Sequence, residues 1–300
     1  MSSFHLPVLV EEAISFLAPR PQEIFVDATL GGGGHAREIL KKLGPTGKLV
    51  GIDQDPEALE TAKRELSSFQ NQVVFVQDNF LNLKSILETL GIPRVNGVLF
   101  DLGPSTYQLE TPARGFSFGE RGEQAFLDMR MNREQSLRAY EVINFYPEKN
   151  LREVFFRLGE EPYGGKIARQ IIKEREQGKI ETCGQLLALI KRATPPDYRY
   201  SRIGHWASKV FRALRMEVNQ ELPVLEAALP QAQDILVSGG RLAVISFHSL
   251  EERIVKHNFL EWEKNGLGKI LTKKPVMASN LEISRNPKAD SARLRVFLKI

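Results

Sequence analysis

The chain has 300 residues, 42% hydrophobic and 26% charged, with a net charge of +4. That length allows one large domain or two ordinary ones, and no apolar run is long enough to span a bilayer. The opening Met-Ser-Ser-Phe-His lacks the regions of a signal peptide, so a cytoplasmic location is expected. Cys183 is the single cysteine, which excludes an internal disulfide and a multi-cysteine zinc site; it reads as a small buried apolar residue, and no metal is expected.

In chain order, Pro7 precedes a helical pattern from Leu9 to Leu17. Ile24-Phe25-Val26-Asp27 then reads as a strand ending in an acid, followed by Gly31-Gly32-Gly33-Gly34 and a helical pattern through Ala36, Ile39, Leu40 and Leu43. Glycines at such a turn let the backbone approach a ligand closely. Gly31-x-Gly33-x-x-Ala36, with Asp53 roughly 20 residues on, satisfies the dinucleotide fingerprint. S-adenosylmethionine is the other candidate. An acid at Asp27 repels a pyrophosphate but suits the cationic methionine end of that cofactor.

Lys48 to Asp53 is a second buried strand. Asp55 and Pro56 open the next helix as N-cap and first position. Strands are expected at Val73 to Val76 and Val95 to Phe100, with a helix at Leu81 to Leu90 between them. This alternation predicts a parallel sheet covered on both faces. Ligands of such sheets bind beyond the carboxyl ends of the strands, where Asp27, Asp53, Phe80 and Asp101 all fall.

From about Tyr107 to Met216 the alternation stops. Helical patterns run from Glu148 to Leu158, Gly165 to Gln177, Thr182 to Arg192 and His205 to Arg215, with a break at Pro195-Pro196. Between Gly164 and Arg215 the chain carries a net +8, and the remainder carries −4. Such a local excess is the footprint expected for a phosphate backbone. A helix from Glu221 to Leu236, a turn at Gly239-Gly240 and a strand from Arg241 to Phe247 then resume the sheet. Lys269 to Thr272 and Arg293 to Lys299 are expected to close it as an antiparallel pair, joined by a long loop.

Several motifs together carry a resemblance. They are His5-x-Pro7-Val8-Leu9, Gly31-x-Gly33-Gly34-His35, Ile52-Asp53-x-Asp55-Pro56, Asp101-Leu102-Gly103 with Gln108-Leu109, Arg114-Gly115-Phe116-Ser117-Phe118, Leu127-Asp128-Met129-Arg130-Met131 and Ile245-Ser246-Phe247-His248-Ser249-Leu250-Glu251. With them the chain resembles, nearly end to end, the bacterial RsmH (MraW) methyltransferases, which modify the N4 amine of a cytidine in 16S ribosomal RNA of the small subunit. It departs from their usual pattern at Pro104-Ser105-Thr106-Tyr107 and at His205-Trp206, where the target base or RNA would be met.

The resemblance implies an α/β fold: a class I S-adenosylmethionine-dependent methyltransferase (Rossmann-like) domain, residues 1–106 plus 217–300, interrupted by an all-helical RNA-recognition domain, residues 107–216. It implies that Gly33, Gly34, His35, Asp53, Phe80, Asp101 and Gln108 contact the cofactor, to which the strand-end reading adds Asp27 and Gly31. Asp101 is also the first candidate for an acceptor at the reacting amine, its alternative being a purely cofactor-facing acid. His248 either touches the target base or orders its loop. Phe80 lies against adenine or belongs to the core. Arg114, Phe116 and Phe118 either grip an unpaired base or form a small aromatic core. Lys166, Arg169, His205, Lys209, Arg212 and Arg215 are the further candidates for RNA contact. The oligomeric state is left open between monomer and homodimer. A dehydrogenase and a non-catalytic RNA-binding protein are the rival readings.

Overall fold

A computed structural model describes residues 7–117, 122–200 and 205–300. The chain divides into two compact units, one formed by residues 1–103 and 222–300 and the other by residues 104–221.

The first half of the sheet unit runs α1 (Val10–Leu17), β1 (Ile24–Asp27), α2 (Gly34–Leu43), β2 (Lys48–Asp53), α3 (Pro56–Glu65), β3 (Val73–Gln77), α4 (Leu83–Thr89) and β4 (Val95–Asp101). The second unit contains α5 (Thr106–Glu110), α6 (Ala139–Phe145), α7 (Glu148–Arg157), α8 (Gly164–Arg175), α9 (Cys183–Ala193), α10 (Pro196–Tyr200) and α11 (Ser208–Asn219). The chain then returns through α12 (Glu221–Ile235), β5 (Leu236–Ser246), α13 (Ser249–Lys264), β6 (Gly268–Ile270), α14 (Asn280–Arg285) and β7 (Arg293–Lys299).

The sheet order is β3-β2-β1-β4-β5-β7-β6. The first five strands pair in parallel, and β7 runs antiparallel between β5 and β6. This is a Rossmann-like α/β sheet with an antiparallel edge. The alternation of side chains across the pleat explains its two cores. Phe25, Leu49, Leu99, Ala243 and Ile245 share one cluster with Ala13 and Leu17 of α1, Ile39 and Leu40 of α2, and Leu59 and Ala62 of α3. Val26, Val50, Val98, Phe100, Leu242 and Val244 share the other with α4, α12 and α13 through Leu87, Leu229 and Phe259.

The strand order reverses between β1 and β4, both of which start from the middle of the sheet and send the chain outward in opposite directions. A crevice outside the strand ends is expected at such a switch point. Asp27 and Asp101 are the last residues of those two strands.

Local signals account for many element ends. Asp55 accepts a hydrogen bond from the Glu57 N–H at 3.1 Å, with Pro56 at the first helical position, so α3 starts where expected. Gly239-Gly240 is not a turn before the fifth strand. Leu236 already pairs with Val95, and the register shifts before Arg241 pairs with Gly97, so the glycines form an irregularity within β5. The stretch joining β6 to β7 is more than a loop: Ser279 caps α14, accepting from the Glu282 N–H at 3.2 Å, and Val276 bridges Leu294.

The second unit has its own core, including Phe116, Leu127, Phe155, Ile171, Leu186, Phe211 and Leu214. Its α6 was not anticipated. That helix has only seven residues, and its start is held by Glu141 reaching back to the Arg138 N–H at 2.9 Å. Phe126 and Thr182 form an isolated bridge in an otherwise helical unit.

In the sheet, a Cβ on Gly97 would meet the Phe25 ring at 2.1 Å. The substitution Gly97→Ala is expected to cost about 1–3 kcal/mol through overpacking, read as a lower denaturant midpoint with an unchanged slope.

Candidate active site

The β1–α2 turn is tied to the ends of its neighbouring strands. Gly33 is the N-cap of α2 with φ +81°, a left-handed conformation suited to glycine, and no side chain caps that helix. A Cβ on Gly33 would sit 3.1 Å from Leu66. One on Gly34 would sit 2.8 Å from Pro7, so residue 7 is seated directly on the turn. The Gly31 N–H donates to Asp53 Oδ2 at 2.8 Å, and the Asp55 N–H donates to Asp53 Oδ1 at 2.9 Å. Asp53 therefore holds the glycine turn to the end of β2. A carboxylate has capacity to accept further hydrogen bonds, so this anchoring is compatible with hydroxyls of a ligand.

Asp27 is 1% exposed. Its Oδ1 accepts from the Thr29 N–H at 3.2 Å. Burial, with a contribution from Asp53, pushes its carboxyl up to about 7, against the lowering effect of the Thr29 bond. Asp101 is anchored through its backbone, whose N–H donates to Thr29 Oγ1 at 2.6 Å. Its Oδ1 is buried and has no hydrogen-bond partner among the described residues. Burial first, then Asp27 and Glu251, raises the Asp101 carboxyl well above the usual carboxylate range. Thr29 was not singled out in the sequence, and Glu251 appeared there only as part of a motif, with no role in the site. A hydroxyl two residues after Asp27 was the available signal for the first, and a Glu in the turn after the fifth strand for the second.

His35, in the first turn of α2, is buried. Its Nε2 lies 2.9 Å from the Val8 carbonyl oxygen and its Nδ1 lies 3.6 Å from Asp101 Oδ2. The side chain therefore links the Val8 carbonyl with Asp101. Phe80 opens a short 3-10 turn after β3. Its ring meets Phe100 edge-on at 5.3 Å, and it remains partly exposed beside that core. His248 is the N-cap of α13: its Nδ1 accepts from the Glu251 N–H at 3.4 Å, and its Nε2 lies 3.1 Å from Glu251 Oε1. Of its two expected roles, ordering the loop is the one these contacts perform.

Gln108 belongs to the second unit and is 3% exposed. It completes a capping box on α5, with Oε1 accepting from the Ser105 N–H at 2.9 Å. Arg114 and Phe116 need correction. Both are interior residues of that unit, and Arg114, 1% exposed, donates at 3.0 Å to the carbonyls of Arg130 and Met131. Enclosed groups of this kind cannot stack on a base, so the aromatic-core alternative holds for them. Phe118 lies outside the described residues.

The basic candidates divide similarly. Arg215 makes a bidentate pair with Glu221 at 2.8 Å, Arg212 donates to the Gly159 carbonyl at 3.1 Å, and Lys209 donates to the Glu160 carbonyl. Lys166 and Arg169 are exposed on α8, and Lys173 joins them on the same side of that helix. Arg169 keeps Glu148 within 3.6 Å, a weak exposed pair. His205 is exposed and its ring lies against Trp206 at 4.7 Å.

A model of the MraW methylase family matches residues 2–300 of the chain. The chain belongs to that family. It is 45% identical over 311 residues to the ribosomal RNA small subunit methyltransferase H of Clostridium botulinum (strain Loch Maree / Type A3), covering 99% of each protein. To the protein of the same name from Trichormus variabilis it is 47% identical over 295 residues, covering 98% of this chain and 92% of that one. The family match thus takes in the helical unit as well as the sheet unit.

The buried carboxyls make stability depend on pH. The folded pKa of Asp27, about 7, lies above its ordinary 3.8, so its contribution is full below about pH 4 and is lost as pH rises through about 7. His35 acts oppositely: with a folded pKa of about 4 against 6.5, it adds stability as pH rises between those values. Asp27→Asn isolates the first effect. The stability difference, wild type minus variant, is expected to fall between pH 4 and 7 in unliganded protein, followed by urea unfolding at each pH.

Proposed function

We propose that this chain is a cytoplasmic S-adenosylmethionine-dependent methyltransferase that modifies the N4 amine of a cytidine in 16S ribosomal RNA of the small subunit. Family membership supports the reaction class, and relatives at 45% and 47% identity carry the small-subunit name. No helix among the described residues is long and apolar enough to cross a membrane.

The donor set fits the cofactor. Asp27, Asp53 and Asp101 gather acidic groups beside an uncapped glycine turn, an environment that favours a cation and disfavours a pyrophosphate. Gly33, Gly34 and His35 would hold its methionine end. Asp53 would take the ribose hydroxyls, and the exposed side of Phe80 would lie against adenine. When bound, the cofactor supplies an activated methyl group. The chain's own task is to place an amine and receive its proton.

The observation that carries this reading is the buried, unpartnered Oδ1 of Asp101 at the end of β4. An acceptor left unsatisfied in a buried place is costly unless a ligand completes it. The amine of cytosine is a weak nucleophile because its lone pair is shared with the ring. An acceptor on its N–H stabilises the positive charge that develops during methylation and takes the proton that is lost. The raised proton affinity of Asp101 suits that task.

The helical unit, residues 104–221, would bind the RNA electrostatically, through Lys166, Arg169 and Lys173 of α8 and the exposed His205.

Labelled S-adenosylmethionine and small subunits lacking the modification test this directly. Label on the N4 of one cytidine, located by mass spectrometry of the nucleosides, is expected. Asp101→Asn should lower kcat by about 10²–10⁴-fold, as for loss of a proton acceptor. Label on another base or atom would refute the target. Replacing Lys166, Arg169 and Lys173 together by Ala should weaken RNA binding and reduce the slope of log K against log salt by about 2–3.

A further inference from the structure

His35 connects two parts of the site. The Val8 carbonyl can only accept a hydrogen bond, so the ring nitrogen 2.9 Å away, Nε2, must carry the hydrogen. Burial pushes the imidazolium pKa down to about 4, so the ring is neutral near physiological pH. Its other nitrogen, Nδ1, is then an unprotonated acceptor, and it lies 3.6 Å from Asp101 Oδ2. Two lone pairs face each other there if Asp101 is ionised. The separation is longer than a hydrogen bond; a proton on Oδ2 removes that repulsion and lets the two groups close to an O–H···N bond.

The groups bearing on Asp101 favour such a proton. Asp27 on β1 and Glu251 on α13 are both acidic, and Thr29 Oγ1 is already engaged by the Asp101 N–H. The ring is held from the far side as well. Pro7 sits on Gly34, Val8 accepts from the imidazole, and the Leu9 N–H donates to Glu282 Oε1 at 2.7 Å. Residues 7–9 thereby fix the ring against the end of β4.

We propose that His35 is a positioning residue for Asp101: its imidazole, locked as the Nε2–H tautomer by the Val8 carbonyl, accepts the Asp101 proton on Oδ2 and leaves Oδ1 for the ligand. This rests on the reading of Asp101 as the acceptor for the substrate amine, but the tautomer does not. A cation bound beside Asp101 favours the ionised carboxylate, so the Oδ2 proton of the cofactor-free protein is released to solvent before the reaction. When the amine is then methylated, its lone pair bonds the methyl carbon, the methyl–sulfur pair stays on sulfur, the N–H bond breaks with its pair staying on nitrogen, and an O–H bond forms on Asp101 Oδ1. The positive charge of the sulfonium methyl donor and the negative charge of Asp101 disappear together. The neutral acid that results is again the form whose Oδ2 can carry a proton facing His35 Nδ1.

Ring-15N-labelled, cofactor-free protein provides the first test. The His35 spectrum near neutral pH is expected to show Nε2–H with Nδ1 as a hydrogen-bond acceptor, and Asp101→Ala should shift Nδ1 to an unbonded acceptor. An Nδ1–H tautomer, or an Nδ1 resonance indifferent to Asp101→Ala, overturns the proposal.

Two variants then separate the ring's contacts. The Gln amide of H35Q reaches the position of Nε2 and keeps the Val8 bond, whereas the Asn amide of H35N reaches the position of Nδ1 and faces Asp101. H35Q should lose about tenfold or more in kcat and shift the acidic limb of its pH profile, with S-adenosylhomocysteine affinity and RNA KM within about threefold. H35N should keep a larger share of kcat while melting at a lower temperature. Equal losses of kcat that track equal losses of melting temperature show a merely structural ring and overturn the proposal. The expected ring spectrum in a wild-type protein without turnover would instead overturn the reaction reading and leave the His35–Asp101 pairing standing.

Discussion

Buried carboxyl groups at the reversal of strand order are the constraint around which the sheet unit is arranged. Asp27 and Asp101 end adjacent parallel strands, so the topology brings two acids together at a place where desolvation penalises both. Asp53 adds a third from β2. The chain manages this with neutral donors and backbone groups. Thr29 serves both neighbours, giving its N–H to Asp27 and its hydroxyl oxygen to the Asp101 N–H. Asp53 is held by the N–H groups of Gly31 and Asp55. The edge that results is acidic and partly unsatisfied, an environment that favours a cation and a donor N–H.

The glycine turn follows from the same arrangement. Its backbone has to reach the Asp53 carboxylate, accept Pro7 from above and start α2 at once. The left-handed φ of Gly33 and the absence of a Cβ at Gly34 make room for this. In that sense the N-terminal residues and the end of β2 are as much part of the turn as its glycines. His35 extends the turn inward, linking the Val8 carbonyl with the side of Asp101.

The helical unit follows different physics. Among the described residues its buried core comes from five helices and the segment around Phe116 and Leu127, with Arg114 buried as an organiser of loop carbonyls. Several of its basic residues are spent internally: Arg215 on Glu221, Arg212 and Lys209 on carbonyls at the end of α7, Arg175 on the carbonyls of Ile143 and Tyr146. The positive charge counted along this segment therefore overstates what reaches an RNA backbone. Among the residues that remain exposed, a spacing of three and four places Lys166, Arg169 and Lys173 on one side of α8.

The alternation of strands and helices, the acids at the strand ends and the glycine turn are legible in local sequence. These depend on hydrophobic period, capping residues and glycine, which act over a few neighbouring positions. Asp55 with Pro56 placed the start of α3 for that reason, and an ordered series of motifs carried the family. Tertiary structure alone decided what those residues do. That Arg114 lies in a core and that His35 Nδ1 looks at Asp101 depend on contacts between segments far apart in the chain. The same holds for β5, whose first residues joined the sheet because Val95 lay alongside to pair with Leu236. Local pattern specifies which faces are buried, but only packing specifies which neighbour each buried polar group finds there.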